Sequence, residues 1–125
     1  MKAIYLNVYE NKESEIIEFK DDLDTFYKLI QCSTIDIVQR KLGNKYYNII
    51  CDDEGALIDS PKISAVNNLG DAMLVGNLII VGDANEDGDL LGIEDNEAKN
   101  LLQYFQKVNT RKYTEGYTML TNCEY

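Results

Sequence analysis

The chain contains no histidine and no tryptophan, and only 1 proline and 3 cysteines among 125 residues. The missing histidine removes the commonest general base at neutral pH and the commonest imidazole ligand for zinc and iron. Cys32, Cys51 and Cys123 are far apart, odd in number, and form no Cys-x-x-Cys pair. That spacing argues against a disulfide framework and against a structural zinc site, and it fits a reducing compartment. Apolar runs of membrane-spanning length are lacking as well. The N-terminal alternation Ile4, Leu6, Val8 passes into Asn7 and Glu10 too early for a secretory leader. A cytoplasmic, soluble protein is expected.

Positive charge is also scarce. The chain has 12 Lys and Arg against 22 Asp and Glu, for a formal net charge of −10 and a pI near 4.3. Such a surface repels phosphate backbones, which argues against direct nucleic-acid binding. It fits a divalent cation, a basic protein partner, or solubility alone. Phosphate-cradling loops are missing too, because Val75-Gly76-Asn77 and Val81-Gly82-Asp83 lack both the spacing and the lysine. Ser14, Ser33, Ser60 and Ser64 lie in no nucleophile-elbow pattern, and the cysteines have no histidine to activate them. The expectation is a protein that is not an enzyme.

What is present reads as one folded domain. Hydrophobic content of 45% is ordinary for a globular chain, and this length supports a modest core. Ile4, Leu6 and Val8 alternate as in a half-buried strand, and residues 15–19 form a second strand of an N-terminal hairpin. Asp21 and Asp22 then precede Leu23, Phe26, Tyr27 and Ile30, which is helical spacing with acids at the N-terminal end. Ile35, Ile37 and Val38 predict a third strand, and Gly43-Asn44 turns the chain into a fourth over 45–51. Residues 59–71 read as a long ordered loop, and 74–81 as one central strand. Ala98, Leu101, Leu102, Phe105 and Val108 predict a second helix over 95–108. The fold expected is α+β, a mainly antiparallel sheet of about five strands with two helices. The order expected is strand-strand-helix-strand-strand-loop-strand-helix. Residues 1–108 make a single domain on this reading, and 109–125 a C-terminal tail or extra strand.

One segment points at a specific chemistry. Residues 83–94 match a twelve-residue calcium loop. Asp83, Asn85 and Asp87 take ligand positions, Gly88 the turn, Asp89 a backbone-carbonyl position and Glu94 the bidentate last place. Leu91 stands where such loops usually carry a polar residue, and a strand rather than a helix precedes the loop. The alternative is a strand-to-helix turn in which Gly88 permits the bend while Glu94 and Asp95 cap the next helix. The clusters Asp21-Asp22-Asp24 and Asp52-Asp53-Glu54 could pair carboxylates for magnesium or acid/base work, but each sits where a helix start or tight turn is expected. Tyr5, Tyr9, Tyr46 and Tyr47 could stack on a base or peptide; strand packing is the plainer reading.

The run Asn48-Ile49-Ile50-Cys51-Asp52-Asp53-Glu54-Gly55-Ala56-Leu57 resembles the strand-then-acidic-turn of the family called domain of unknown function 3846. Val75-Gly76-Asn77-Leu78-Ile79-Ile80-Val81-Gly82 resembles its later strand, and Glu86-Asp87-Gly88-Asp89 its acidic glycine turn. The resemblance spans residues 1–106 in element order. Ser60-Pro61 and Asn67-Asn68 only approximate the family's Leu-Pro and Asn at the intervening loop. The family carries no assigned activity and occurs in phages, plasmids and Firmicute genomes, which implies an accessory role in the contest between phage and host. The leading expectation is therefore a small acidic binding protein of phage or mobile-element type. It would sequester or block a small molecule or a host protein, with a counter-defence role. The alternatives are a calcium-binding strand-loop-helix module and an acidic DNA mimic. No cofactor is expected apart from calcium, no membrane is involved, and Met119 and Leu120 could pair with a second subunit in a homo-oligomer.

Overall fold

The computed structural model describes residues 1–10, 12–54, 62–84, 86–110 and 115–125. Among these residues the chain is α+β, with two helices and ten strands in two sheets. The strands are β1 (Lys2–Leu6), β2 (Glu15–Glu18), β3 (Ile35–Leu42), β4 (Lys45–Asp52), β5 (Ile63–Val66), β6 (Ala72–Val75), β7 (Leu78–Val81), β8 (Phe105–Val108), β9 (Tyr117–Leu120) and β10 (Cys123–Glu124). The helices are α1 (Leu23–Ile30) and α2 (Asp95–Leu101). One sheet runs β10-β3-β4-β7-β1-β2 and is antiparallel throughout. The other runs β6-β5-β9-β8, and its β5–β9 pair is parallel.

Alternation along the strands of the larger sheet builds two apolar layers. Ile4 and Leu6 of β1, Tyr47 and Ile49 of β4, and Leu78 and Ile80 of β7 face the smaller sheet and meet Ala65, Met119 and Leu120 there. Ala3, Ile50, Ile79 and Val81 face the other way, onto Phe26 and Ile30 of α1. Strand β7 is therefore buried on both faces, which explains its unbroken Leu-Ile-Ile-Val run. Each such side chain contributes roughly 1.5–3 kcal/mol on burial.

Local chemistry sets the element ends. Asp22 caps α1 by accepting the Thr25 N–H at 2.8 Å, and the Thr25 side chain, then that N–H, hold its carboxyl below the usual range. Gln31 closes the helix in the left-handed region at φ 64°. The Leu29 carbonyl accepts from the Tyr5 hydroxyl at 2.6 Å and from Asn77 Nδ2 at 3.3 Å. Gly43, at φ 68°, turns β3 into β4 with Leu42 opposite Lys45.

Four expectations need correction. The strand count is ten among the described residues, not about five. The apolar stretch 74–81 is two strands, since Gly76 at φ 79° and the buried Asn77 break it and send β6 and β7 into different sheets. Asn77 Oδ1 accepts the Val8 N–H at 3.0 Å, which satisfies a polar side chain inside an apolar run. The long loop contains β5, and the second helix stops at Leu101. A 3₁₀ turn follows, and Phe105–Val108 pairs with β9. There the Tyr104 carbonyl accepts the Thr121 N–H at 2.7 Å and the Thr121 hydroxyl at 2.6 Å, so the helical ladder cannot continue. Residues 109–125 supply β9 to the smaller sheet and β10 to the larger. Among the described residues no helix is long and apolar enough to cross a membrane. Gly55, Ser60, Pro61 and Asn85 lie outside the described residues.

Candidate functional site

The acidic loop leaves β7 and folds back on itself. The Gly82 N–H donates to the Leu91 carbonyl at 2.8 Å, and Ala84 and Leu90 form an antiparallel bridge. Gly88 takes φ 83°, the left-handed turn that its position in the loop demands. The Ile93 N–H then donates to the Lys2 carbonyl at 2.8 Å, tying the loop to β1. A Cβ on Gly92 would meet Lys2 N at 3.0 Å, so the close approach needs glycine. Asp83, Asp87, Asp89 and Glu94 are all exposed, while Asn85 lies outside the described residues. Asp83 Oδ1 accepts the Ala84 N–H at 3.0 Å. Glu94 stands at the N-cap of α2 without a side-chain cap bond, and Asp95 pairs with Lys2 instead. That partner holds the Asp95 carboxyl below its usual range. Among the described residues no three acids or thiols gather into a group that could hold a metal ion.

The thiols are held protonated at neutral pH. Burial pushes Cys51 up to about 12, helped by the field of Asp36 and opposed by Arg40. Burial pushes Cys32 and Cys123 up to about 11. A thiolate nucleophile needs the opposite environment, with nearby positive charge or a helix N-terminus. The tyrosines do not form one face. Tyr5 packs on the α1 side of the larger sheet and Tyr47 on the opposite side. Tyr47 bonds Glu97 of α2, and Lys45 Nζ donates to Glu97 at 2.9 Å. The Tyr47 bond, then that of Lys45, lowers the Glu97 carboxyl, while burial raises the Tyr47 phenol. The trio clamps α2 to β4 and leaves no group poised to exchange protons near pH 7.

The feature that sequence reasoning missed is a groove of 380 Å³ where the smaller sheet stops short of the larger. Its floor is one face of β3, carrying Asp36, Val38 and Arg40, with Asp53 at one end. Its wall is β6. All four residues of β6 line the groove, so that strand presents its edge rather than a face. Among the described residues β6 pairs with β5 alone. The Arg40 guanidinium lies 4.7 Å over the Tyr125 ring, and its Nε is buried with no hydrogen-bond partner among the described residues. No sequence signal announces the groove, because β3, β4 and β6 meet only through the fold.

These features define a two-sheet α+β protein with an acidic exterior and, among the described residues, an open sheet edge beside a groove. The chain belongs to the family described as Domain of unknown function (DUF3846), which matches residues 1–108. No curated protein and no solved structure matches it.

Proposed function

We propose that the chain is a non-enzymatic acidic binding protein that occupies a basic surface of a partner protein. The observation that supports this reading is the placement of its charge. Among the described residues no carboxylate is buried, and all but Asp52, Glu97 and Glu124 are exposed. The acidic side chains of the described residues are thus presented to the outside. A field of that sign steers positively charged partners and discourages phosphate-bearing ones. The protonated thiols and the Tyr47–Glu97–Lys45 clamp support the same reading, because neither offers a group ready for turnover. In the phage or mobile-element setting that the family resemblance implies, the partner is a host protein and the role is counter-defence.

Native mass spectrometry of the protein, purified at low salt from cells that naturally produce it, tests the proposal. The expected result is a stoichiometric complex with a basic protein that dissociates as salt rises, since exposed charge contacts are screened. A monomer without a partner, or a salt-indifferent complex with an acidic protein, contradicts it.

A second reading keeps calcium at Asp83, Asn85, Asp87, Asp89 and Glu94. The observation favouring it is Gly88, whose φ of 83° suits the sharp turn of a calcium loop. Calcium should then raise the melting temperature, because a ligand that binds only the folded state stabilises it. Identical melting curves in calcium and in chelator end this reading.

A further inference from the structure

The two sheets differ in width, and the difference is lateral. The larger has six strands and the smaller four, and the smaller ends at β6 while β3 continues beyond it on the larger. A strand added beside β6 would lie over the β3 face that carries Asp36, Val38 and Arg40. We propose that this groove takes an extended peptide segment of alternating apolar and basic residues, which adds to β6 as a fifth strand. The inference rests on the reading of the chain as an acidic binding protein, and it names where the partner docks and what the partner segment must contain.

Three observations converge on that occupant. Among the described residues β6 pairs on one side only, and an edge strand of that kind is the template that strand addition uses. The floor and wall offer Val38, Met73 and Val75 to apolar side chains on one side of the segment. Asp36, Asp52 and Asp53 outnumber Arg40 along the groove, so lysine or arginine complements it and glutamate does not. A second copy of this chain is the poorer occupant, because its own charge of −10 repels an acidic groove.

The test is fluorescence anisotropy with a labelled, end-blocked peptide of alternating valine and lysine. Two controls accompany it: its valine–glutamate counterpart, and a valine–lysine version N-methylated on its backbone amides. The lysine peptide should bind, and the glutamate and N-methylated peptides should not. The double substitution Asp36→Asn with Asp53→Asn changes two exposed carboxylates without changing their shape. It should weaken lysine-peptide binding roughly three- to tenfold. Equal binding of the lysine peptide by wild type and the double variant overturns the groove while leaving the acidic binding reading intact. Indifference between lysine and glutamate peptides overturns both. A concentration-dependent dimer that Met73→Asp dissociates would show that a second copy fills the groove, and would also overturn the proposal.

Discussion

The two sheets are built on different terms. The larger combines the hairpins β1–β2 and β3–β4 with the long-range pairings β1–β7, β4–β7 and β10–β3, and its β7 is buried on both faces between α1 and the smaller sheet. The smaller consists of the two local pairs β5–β6 and β8–β9, and the β5–β9 contact that joins them rests on the single parallel pair Ala65–Leu120. Side chains reinforce that junction. The Tyr117 hydroxyl donates to the Ile63 carbonyl at 2.7 Å. Lys62 Nζ donates to the Val8 carbonyl at 2.8 Å and sits 4.3 Å over the Tyr117 ring. The larger sheet thus gains its stability from doubly buried apolar residues, while the smaller depends on a few specific bonds and ends in exposed edges. An element that can accept a partner strand is found on the second kind of sheet.

Substitutions can break this contrast. The largest effect belongs to the larger sheet. Ile79→Ala removes a fully buried side chain facing α1 and should cost about 2–5 kcal/mol in chemical unfolding. A loss below about 1 kcal/mol would deny that this layer is close-packed. Alkaline pH comes next. Cys51, raised from an ordinary 9.0 to about 12, binds its proton more tightly folded than unfolded. Its contribution is therefore complete below pH 9.0 and lost as pH rises through about 12. The melting temperature should be flat near neutrality and fall between pH 9.0 and about 12, and Cys51→Ala should reduce the fall.

For the smaller sheet, Tyr117→Phe leaves the Ile63 carbonyl without its hydroxyl donor and should cost about 1–3 kcal/mol. It should also raise amide exchange in β5 and β9 ahead of β1 and β7. Uniform acceleration would mean that the two sheets do not differ in local stability. Thr121→Val removes the hydroxyl bond that helps end the 3₁₀ turn at Tyr104, at roughly 1 kcal/mol. Smallest is Lys45→Ala, which loses an exposed pair with Glu97 worth about 0–1 kcal/mol.

The same contrast governs what the sequence discloses. The alternation of Ile4, Leu6 and Val8, the Gly43-Asn44 turn and the Asp22 cap are local signals, and β1 to β4 and α1 are legible from them. The smaller sheet is not. β5 is four residues long and lies among polar neighbours. Leu101, Phe105 and Val108 keep helical spacing even though Phe105 and Val108 pair with Leu120 and Tyr117 in a strand. That choice is made by the distant partner, not by the local pattern. Gly76-Asn77 sits inside an apolar run, and only the Val8 and Leu29 backbone groups that Asn77 satisfies reveal why the run must break there. The acidic loop is readable because its residues are consecutive. The groove is not, because its floor and its wall belong to different sheets.

Hydrogen–deuterium exchange with and without the valine–lysine peptide measures most directly whether the open edge of the smaller sheet is where a partner is held. Protection should concentrate in residues 72–75 and 35–40 and leave the 83–94 loop unchanged. Protection centred on 83–94, or spread evenly over the acidic exterior, would contradict docking at the β6 edge.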